Sequence, residues 1–318
     1  MAWHVGIDTS NYTTSYAAYN TATGKLVSAK RPLLVKEGEV GLRQSDAVFQ
    51  HVKQIQSAVN EITPQISVPV AVGVSVRPRD IEGSYMPCFL AGKAVAGVVS
   101  AALSIPLYEY SHQAGHLAAA LYATGNLDLL KGEFIAFHVS GGTTECLHVY
   151  NTEERLLCVE VLAQSNDLYI GQAVDRVGAM LGLSFPAGPE LEKLALASQQ
   201  EYAPKPTFKG KNPCISGLQN QCHNMLQKNE QPQNIAAYCI AYIKEVILQM
   251  TLNAVEEFPT LPIVYAGGVM SNSIIKQAVM QRYNNVFFAP PAFSSDNAAG
   301  IAVLCAQSYN REGFSCKF

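Results

Sequence analysis

The chain has 318 residues, 48% of them hydrophobic, enough to bury a large core and, at the usual size of about 150 residues per domain, to form two domains. A formal net charge of -3 excludes nucleic-acid binding driven by overall charge, so any such contact must rest on a local patch or on a partner. The eight cysteines include no Cys-x-x-Cys pair, which excludes the common zinc and dithiol motifs, and neither a targeting signal nor a run of roughly 18 uncharged apolar residues is read; the expected location is the reducing cytoplasm, with no membrane contact.

In chain order, Trp3 to Ile7, Ser15 to Tyr19 and Lys25 to Leu34 read as a three-stranded meander, with turn chemistry at Asn20 and at Thr23 and Gly24. A helix is predicted from Ser45 to Ile62, where Val48, His51, Val52, Ile55, Val59 and Ile62 recur at helical spacing and Ser45 and Asp46 can cap the start. The apolar run Val68 to Val76, ending at Arg77 and Pro78, reads as a buried strand entering a loop; a helix from Met86 to Leu103 and a short strand from Leu107 to Tyr110 follow.

The second half starts over. Phe134 to Val139, Cys146 to Tyr150 and Leu156 to Leu162 make another meander, followed by helical patterns at Ile170 to Leu181 and Pro189 to Ala197. Gln199 to Pro213, with Lys205, Lys209 and Lys211, reads as a polar loop or lid. A helix from Gln233 to Glu257, a strand from Pro262 to Tyr265, a turn at Ala266 to Gly268, another helix, a strand from Asn285 to Ala289 and a final helix from Asp296 to Tyr309 complete the chain. Sliding the sequence so that Ser10 falls on Ser140 also puts Thr13 on Thr143 and Thr14 on Thr144, with the same element order around them. The expectation is two related α/β lobes, 1–130 completed by the C-terminal helix and 131–318, with a cleft between them.

Chemistry concentrates at four places. Ser140-Gly141-Gly142-Thr143-Thr144 ends a strand with backbone open to a phosphate and hydroxyls to bond it, although Gly-Gly is also ordinary hairpin punctuation. Its counterpart, Asp8 to Ser15, offers a second such turn, where Asp8 positions a metal ion or a water, or else makes a plain turn bond at the surface. Gly267 and Gly268 pass from strand to helix, letting backbone lie against a base or ribose while Asn272 bonds a ribose hydroxyl. His112 and His116, at i and i+4 on one helix face, suit two imidazole ligands to one metal, or a helix cap beside an incidental neighbour. Asp296 is available as a third ligand, and otherwise as a helix N-cap.

Taken together, these residues resemble the glycoprotease-like family of tRNA threonylcarbamoyladenosine transferases. The resemblance runs through Asp8-Thr-Ser10, the His112 to His116 segment, Ser140-Gly141-Gly142, Gly171 to Asp175, Pro186 to Pro189, Ser216-Gly217-Leu218, Gly267-Gly268-Val269 with Asn272, and Asp296-Asn297-Ala298. It implies the two-lobed actin/hexokinase/Hsp70-type fold. It also implies one iron or zinc ion on His112, His116 and Asp296, touching the nucleotide, and an adenylate pocket lined by Ser140, Gly141, Asp175, Gly188 and Asn272. Gly142, Thr143, Gly267 and Gly268 join that pocket by their turn chemistry, and Asp8 and Ser10 are the candidate catalytic residues.

The implied reaction moves threonylcarbamoyl from its adenylate to the exocyclic amine of the tRNA adenosine beside the anticodon. ATP or ADP are the other adenine nucleotides expected, and Mg2+ a further cofactor. The implied partners are tRNA, a smaller homologous subunit in a hetero-dimer or a second copy in a homo-dimer, and an ATPase. The chain departs from the family's usual pattern at Asn11-Tyr12-Thr13, at Ala114, at Ser75 to Asp80 and at Thr143, losing acidic residues and a histidine, which points to a divergent paralogue. A non-catalytic ATP- or ADP-binding paralogue with a regulatory role is the main rival. A metalloprotease would need a general base where Gln113 stands.

Overall fold

The computed structural model describes residues 2–10, 12–35, 42–153, 156–290 and 297–313. The chain divides into two compact units, one formed by Met1–Leu130, Thr152–Leu157 and Ser295–Phe318, the other by Lys131–Asn151 and Cys158–Ser294.

In unit 1, β1 (Trp3–Ser10), β2 (Thr13–Asn20) and β3 (Leu26–Pro32) form the expected antiparallel meander. Asn20 Oδ1 accepts from the backbone N–H groups of Ala22 and Thr23, and Gly24 supplies a φ of +68°, so the turn forms for the reasons its residues suggest. The chain continues through α1 (Gln44–Ile62), β4 (Ala71–Arg77), α2 (Phe89–Leu103), β5 (Leu107–Ser111) and α3 (His112–Ala123). β4 and β5 add parallel strands, giving the order β3-β2-β1-β4-β5. Ser45 and Asp46 do not cap α1. The helix begins one residue earlier, Arg43 occupies the cap position with no side-chain bond, and both residues fall inside the first turn.

In unit 2, β6 (Phe134–Val139), β7 (Thr144–Tyr150) and β8 (Cys158–Gln164) repeat the meander. After α4 (Ile170–Met180) and α5 (Gly188–Leu196), the segment expected to be loop holds a short hairpin, β9 (Thr207–Lys209) with β10 (Asn212–Cys214). A helix that the periodicity did not show, α6 (Ser216–Gln227), comes next: only Leu218 and Cys222 of it are buried, too sparse a stripe to announce it. The 26-residue α7 (Pro232–Glu257) has the length and composition of a membrane span but carries Lys244 and Glu245 at mid-length and buries most of its apolar window in the core of unit 2. Then come β11 (Ile263–Ala266), a 3-10 turn at Gly268–Ser271, α8 (Ser273–Arg282) and β12 (Val286–Phe288). The sheet order, β12-β11-β6-β7-β8, reproduces that of unit 1 strand for strand.

The last helix, α9 (Asn297–Gly313), packs back on unit 1. It approaches the sheet so closely that a Cβ on Gly6 would lie 2.3 Å from the Ala298 carbonyl oxygen, and one on Gly300 would lie 1.8 Å from the carbonyl of Gly115 in α3. Glycine and alanine at these crossings are what allow α9 to lie flat against both β1 and α3.

Candidate functional site

Unit 2 contains a cavity of about 600 Å³ whose polar wall is assembled from its loops. The turn after β6 is tightened by Ser140 N–H donating to the Thr143 carbonyl (2.8 Å) and by the Ser140 hydroxyl accepting from Gly142 N–H (3.2 Å). It is clasped from both sides. A Cβ on Gly171, at the start of α4, would lie 2.5 Å from the Gly141 nitrogen, and Gly267, at φ +100°, could carry no Cβ without meeting the Val139 carbonyl at 2.1 Å. Both glycines are therefore demanded by close approach, and Gly267 by its dihedral as well. Thr144 joins the clasp, its hydroxyl accepting from Ile170 N–H at 2.9 Å.

Of the residues expected to hold a nucleotide, Ser140, Gly141, Asp175, Gly188, Gly268 and Asn272 line this cavity, whereas Gly142, Thr143 and Gly267 do not line it and belong to the turns that shape it. Asp175 accepts from Ala187 N–H (2.9 Å), fixing the loop that leads into α5. Asn272 spends its carbonyl oxygen on capping α8, accepting from the N–H groups of Ile274 and Ile275, both at 3.1 Å, so only its NH2 group can serve a ligand. The opposite wall is apolar: Val174, Ile240, Ile243, Val269 and Ile275.

Glu192 is a lining residue that sequence reasoning missed. Its carboxylate accepts from the backbone N–H of Ser273 at 2.8 Å and from the Ser273 hydroxyl, tying α5 to the start of α8. In the sequence it looks like any glutamate on a helix surface; its place one turn after Gly188 is the only signal that could have found it.

Unit 1 carries a different constellation. Asp8, fully buried at the end of β1, holds Nδ1 of His112 at 2.8 Å with one carboxylate oxygen and accepts from Ser10 N–H at 3.0 Å with the other. Burial alone would raise the Asp8 carboxyl, but the charge of His112 and the hydrogen bonds from His112 and Ser10 outweigh it and hold the carboxyl below its ordinary value. The turn bond considered for Asp8 is made, to Ser10 N–H, but by a fully buried carboxylate rather than one at the surface. Ser10 enters the arrangement through its backbone.

His112 opens α3 with Ser111 as the N-cap, whose hydroxyl accepts from Ala114 N–H and donates to Asp80. Asp80 in turn binds Arg77 at 2.9 Å, so this arginine is neutralised locally. One turn along, the ring of His116 lies 4.6 Å from that of His112, edge to face. With Nδ1 of His112 on Asp8, any metal coordination by His112 would use Nε2, the usual carboxylate–histidine–metal relay. Asp296 lies outside the described residues, and among the described residues no group of three or more His, Cys, Asp or Glu side chains forms a metal cluster. Two imidazoles on one helix face, one backed by a buried carboxylate, nevertheless match the donor chemistry of an iron or zinc centre.

A second residue escaped sequence reasoning here. His51, which reads as one more core position of α1, is fully buried with Nδ1 2.8 Å from the hydroxyl of Thr14, and that hydroxyl donates to Gln54 at 3.1 Å. Burial lowers its pKa against the opposing charge of Asp8.

Comparison with known proteins places this geometry. The family described as tRNA N6-adenosine threonylcarbamoyltransferase matches residues 36–303. The protein so named in Streptococcus sanguinis is 30% identical over 280 residues, covering 83% of this chain and 80% of its own; that of Streptococcus pneumoniae is 29% identical over the same spans. Among solved structures, component A of the (R)-2-hydroxyglutaryl-CoA dehydratase of Acidaminococcus fermentans superposes with a TM-score of 0.58 over 98% of this chain and 100% of its own at 13% identity. HypF of T. kodakarensis does so at 0.61 over 98% of this chain and 48% of its own at 14% identity. With the ROK hexokinase of Thermus thermophilus also similar, at a TM-score of 0.50 and 13% identity over 97% of this chain and 99% of its own, the fold is the actin/hexokinase/Hsp70 type.

Proposed function

Because the chain belongs to the tRNA N6-adenosine threonylcarbamoyltransferase family, we propose that it transfers a threonylcarbamoyl group from threonylcarbamoyl-AMP to the exocyclic amine of a tRNA adenosine. The observation that carries this reading is the unit 2 cavity, which pairs an open Ser140–Gly141 turn with an apolar wall and the carboxylate of Glu192. The phosphate lies against the turn, whose backbone N–H groups and hydroxyls offset its charge. The ribose meets Glu192 and the NH2 of Asn272, and the base fills the apolar wall of Ile240, Ile243 and Ile275. ATP or ADP fit the same chemistry, with Mg2+ on their phosphates.

In the transfer, the amine nitrogen forms a bond to the carbamoyl carbon, the bond from that carbon to the phosphate oxygen breaks, and AMP leaves with the electron pair while the amine gives up a proton. An iron or zinc ion on His112, His116 and Asp296 would supply Lewis-acid polarisation of the carbamoyl or phosphate oxygens. Asp8 orients His112 for that task, and its depressed pKa keeps it ionised at neutral pH. Exposed apolar side chains on α1 (Phe49, Val52) and α2 (Leu90, Val98) suit a smaller homologous subunit, with an ATPase as the further helper, and the site of action is the cytoplasm.

The test incubates the chain and its partner proteins with threonylcarbamoyl-adenylate and unmodified tRNA, followed by mass spectrometry of the digested nucleosides. Threonylcarbamoyladenosine is expected; its complete absence, with nucleotide still bound, would show a binding protein instead.

A further inference from the structure

We propose a second ligand site in unit 2, apart from the adenylate cavity: a slot for one unstacked nucleotide of a single-stranded RNA, between the β9–β10 hairpin and α7. It rests on the reading above only in taking RNA as the acceptor. The slot is a cavity of about 400 Å³, bounded by Pro204, Lys205, Pro206 and Phe208 on the hairpin side and by Glu245, Gln249 and Asn253 on α7. Those three α7 residues, spaced by four, lie along one stripe of the helix, while Ile240 and Ile243 turn to the adenylate cavity, so a single helix serves both.

Three features select the ligand. Phe208 and the two prolines, all half-buried, are the apolar part of an otherwise polar lining, against which a base of any sequence can stack. Gln249 donates its NH2 to Asn253 Oδ1 at 3.0 Å, which leaves the pair one carbonyl acceptor and one NH2 donor, the combination that matches a base edge with a donor beside an acceptor. Charge supplies the rest. Lys211 is held by Glu257 and Lys244 by Glu245, but Lys205, which lines the slot, and Lys209, on the same hairpin, are both exposed, have no ion pair among the described residues and can take phosphates of the bound strand. A chain of net charge -3 needs such a local patch to hold RNA at all.

The experiment measures fluorescence anisotropy of a labelled anticodon stem-loop RNA with the full chain over a series of salt concentrations, alongside calorimetry with ADP. Lys205→Ala/Lys209→Ala should weaken RNA binding about 10-fold at low salt and flatten the slope of log affinity against log salt by about 1.4, roughly 0.7 for each phosphate left without its lysine. Gln249→Ala/Asn253→Ala should weaken it by roughly 5- to 10-fold with the slope unchanged, since only neutral groups are removed. ADP affinity should stay constant in both. If wild type binds the RNA and neither variant binds it less well, the slot is not the RNA site and the transfer reading stands. If wild type binds ADP but no RNA, the slot and the RNA acceptor fall together.

Discussion

The turn after β1 and the turn after β6 occupy the same place in two sheets of identical strand order, yet they are built oppositely. Gly141 and Gly142 are exposed, and a Cβ on either would meet nothing within 4 Å, so the second turn offers open backbone to a ligand. The strand ends that flank the first turn are locked by their own side chains. Thr9 donates its hydroxyl to the Cys88 carbonyl and accepts from Gly92 N–H, Thr14 engages His51 and Gln54, and Asp8 is committed to His112. A buried, ionised carboxylate repels phosphate. Under the proposed function the related hairpins divide the work: the one in unit 2 would receive the nucleotide, while Asp8 in unit 1 aims the imidazole of His112.

The strongest way to break this comparison is to spoil the clasp of the second turn. Gly171→Ala and Gly267→Ala each force a Cβ into backbone that cannot retreat, at 2.5 Å and 2.1 Å, and Gly267 also loses its dihedral freedom. Each should destabilise unit 2 by roughly 3 kcal/mol, the range of overpacking and backbone strain combined. Nucleotide binding should be lost while metal content per folded molecule is retained; calorimetry and elemental analysis on the same sample decide it.

The converse experiment acts on the first turn. Asp8→Ala removes the partner of His112 Nδ1 and should lower metal affinity by about 10- to 100-fold, with transfer activity falling alongside, as expected when a carboxylate behind a ligating histidine is deleted. ADP affinity should change less than about twofold, since binding is assigned to the other turn. Equal losses in both readouts would erase the division of labour. A smaller effect is expected within unit 2: Glu192→Ala should cost about 10-fold in AMP affinity, the worth of a charged hydrogen bond at a half-buried site.

How much of this was legible in the sequence follows from the range of the interactions. Gly141, Gly268, Asp175 and Asn272 stand in local motifs whose chemistry is completed within a dozen residues, and the structure brings them together along one cavity. Glu192 works through Ser273, 81 residues away, and His51 through Thr14, 37 residues away, so neither carries a local mark. His51 was obscured by its periodicity, because a histidine on the apolar stripe of α1 is indistinguishable from a core residue until the strand it faces is known. The β9–β10 hairpin has only three-residue strands, below the length at which alternation can be read, and so passed as loop.

The mildest prediction separates the units by pH. His4 and His51 are buried in unit 1 and both have pKa values lowered from 6.5, chiefly because burial penalises the imidazolium; the backbone of Tyr19 near His4 and the charge of Asp8 beside His51 oppose the shift only in part. A lowered histidine stays neutral in the folded state while the unfolded chain takes up a proton near pH 6.5. Stability is therefore fully present above that pH and declines as pH falls through it toward the folded values, because the unfolded state binds more protons there. Asp8 adds a loss of the same sign at still lower pH, below the ordinary aspartate range, when its carboxyl is protonated and its attraction for His112 ends. Hydrogen exchange between pH 7 and 5 should thus show amides of β1, β2 and α1 losing protection before those of β6 and α7, and His51→Gln, which removes one of the two titrating rings, should reduce the difference. Uniform loss in both units would mean that His4 and His51 do not set the acid limit.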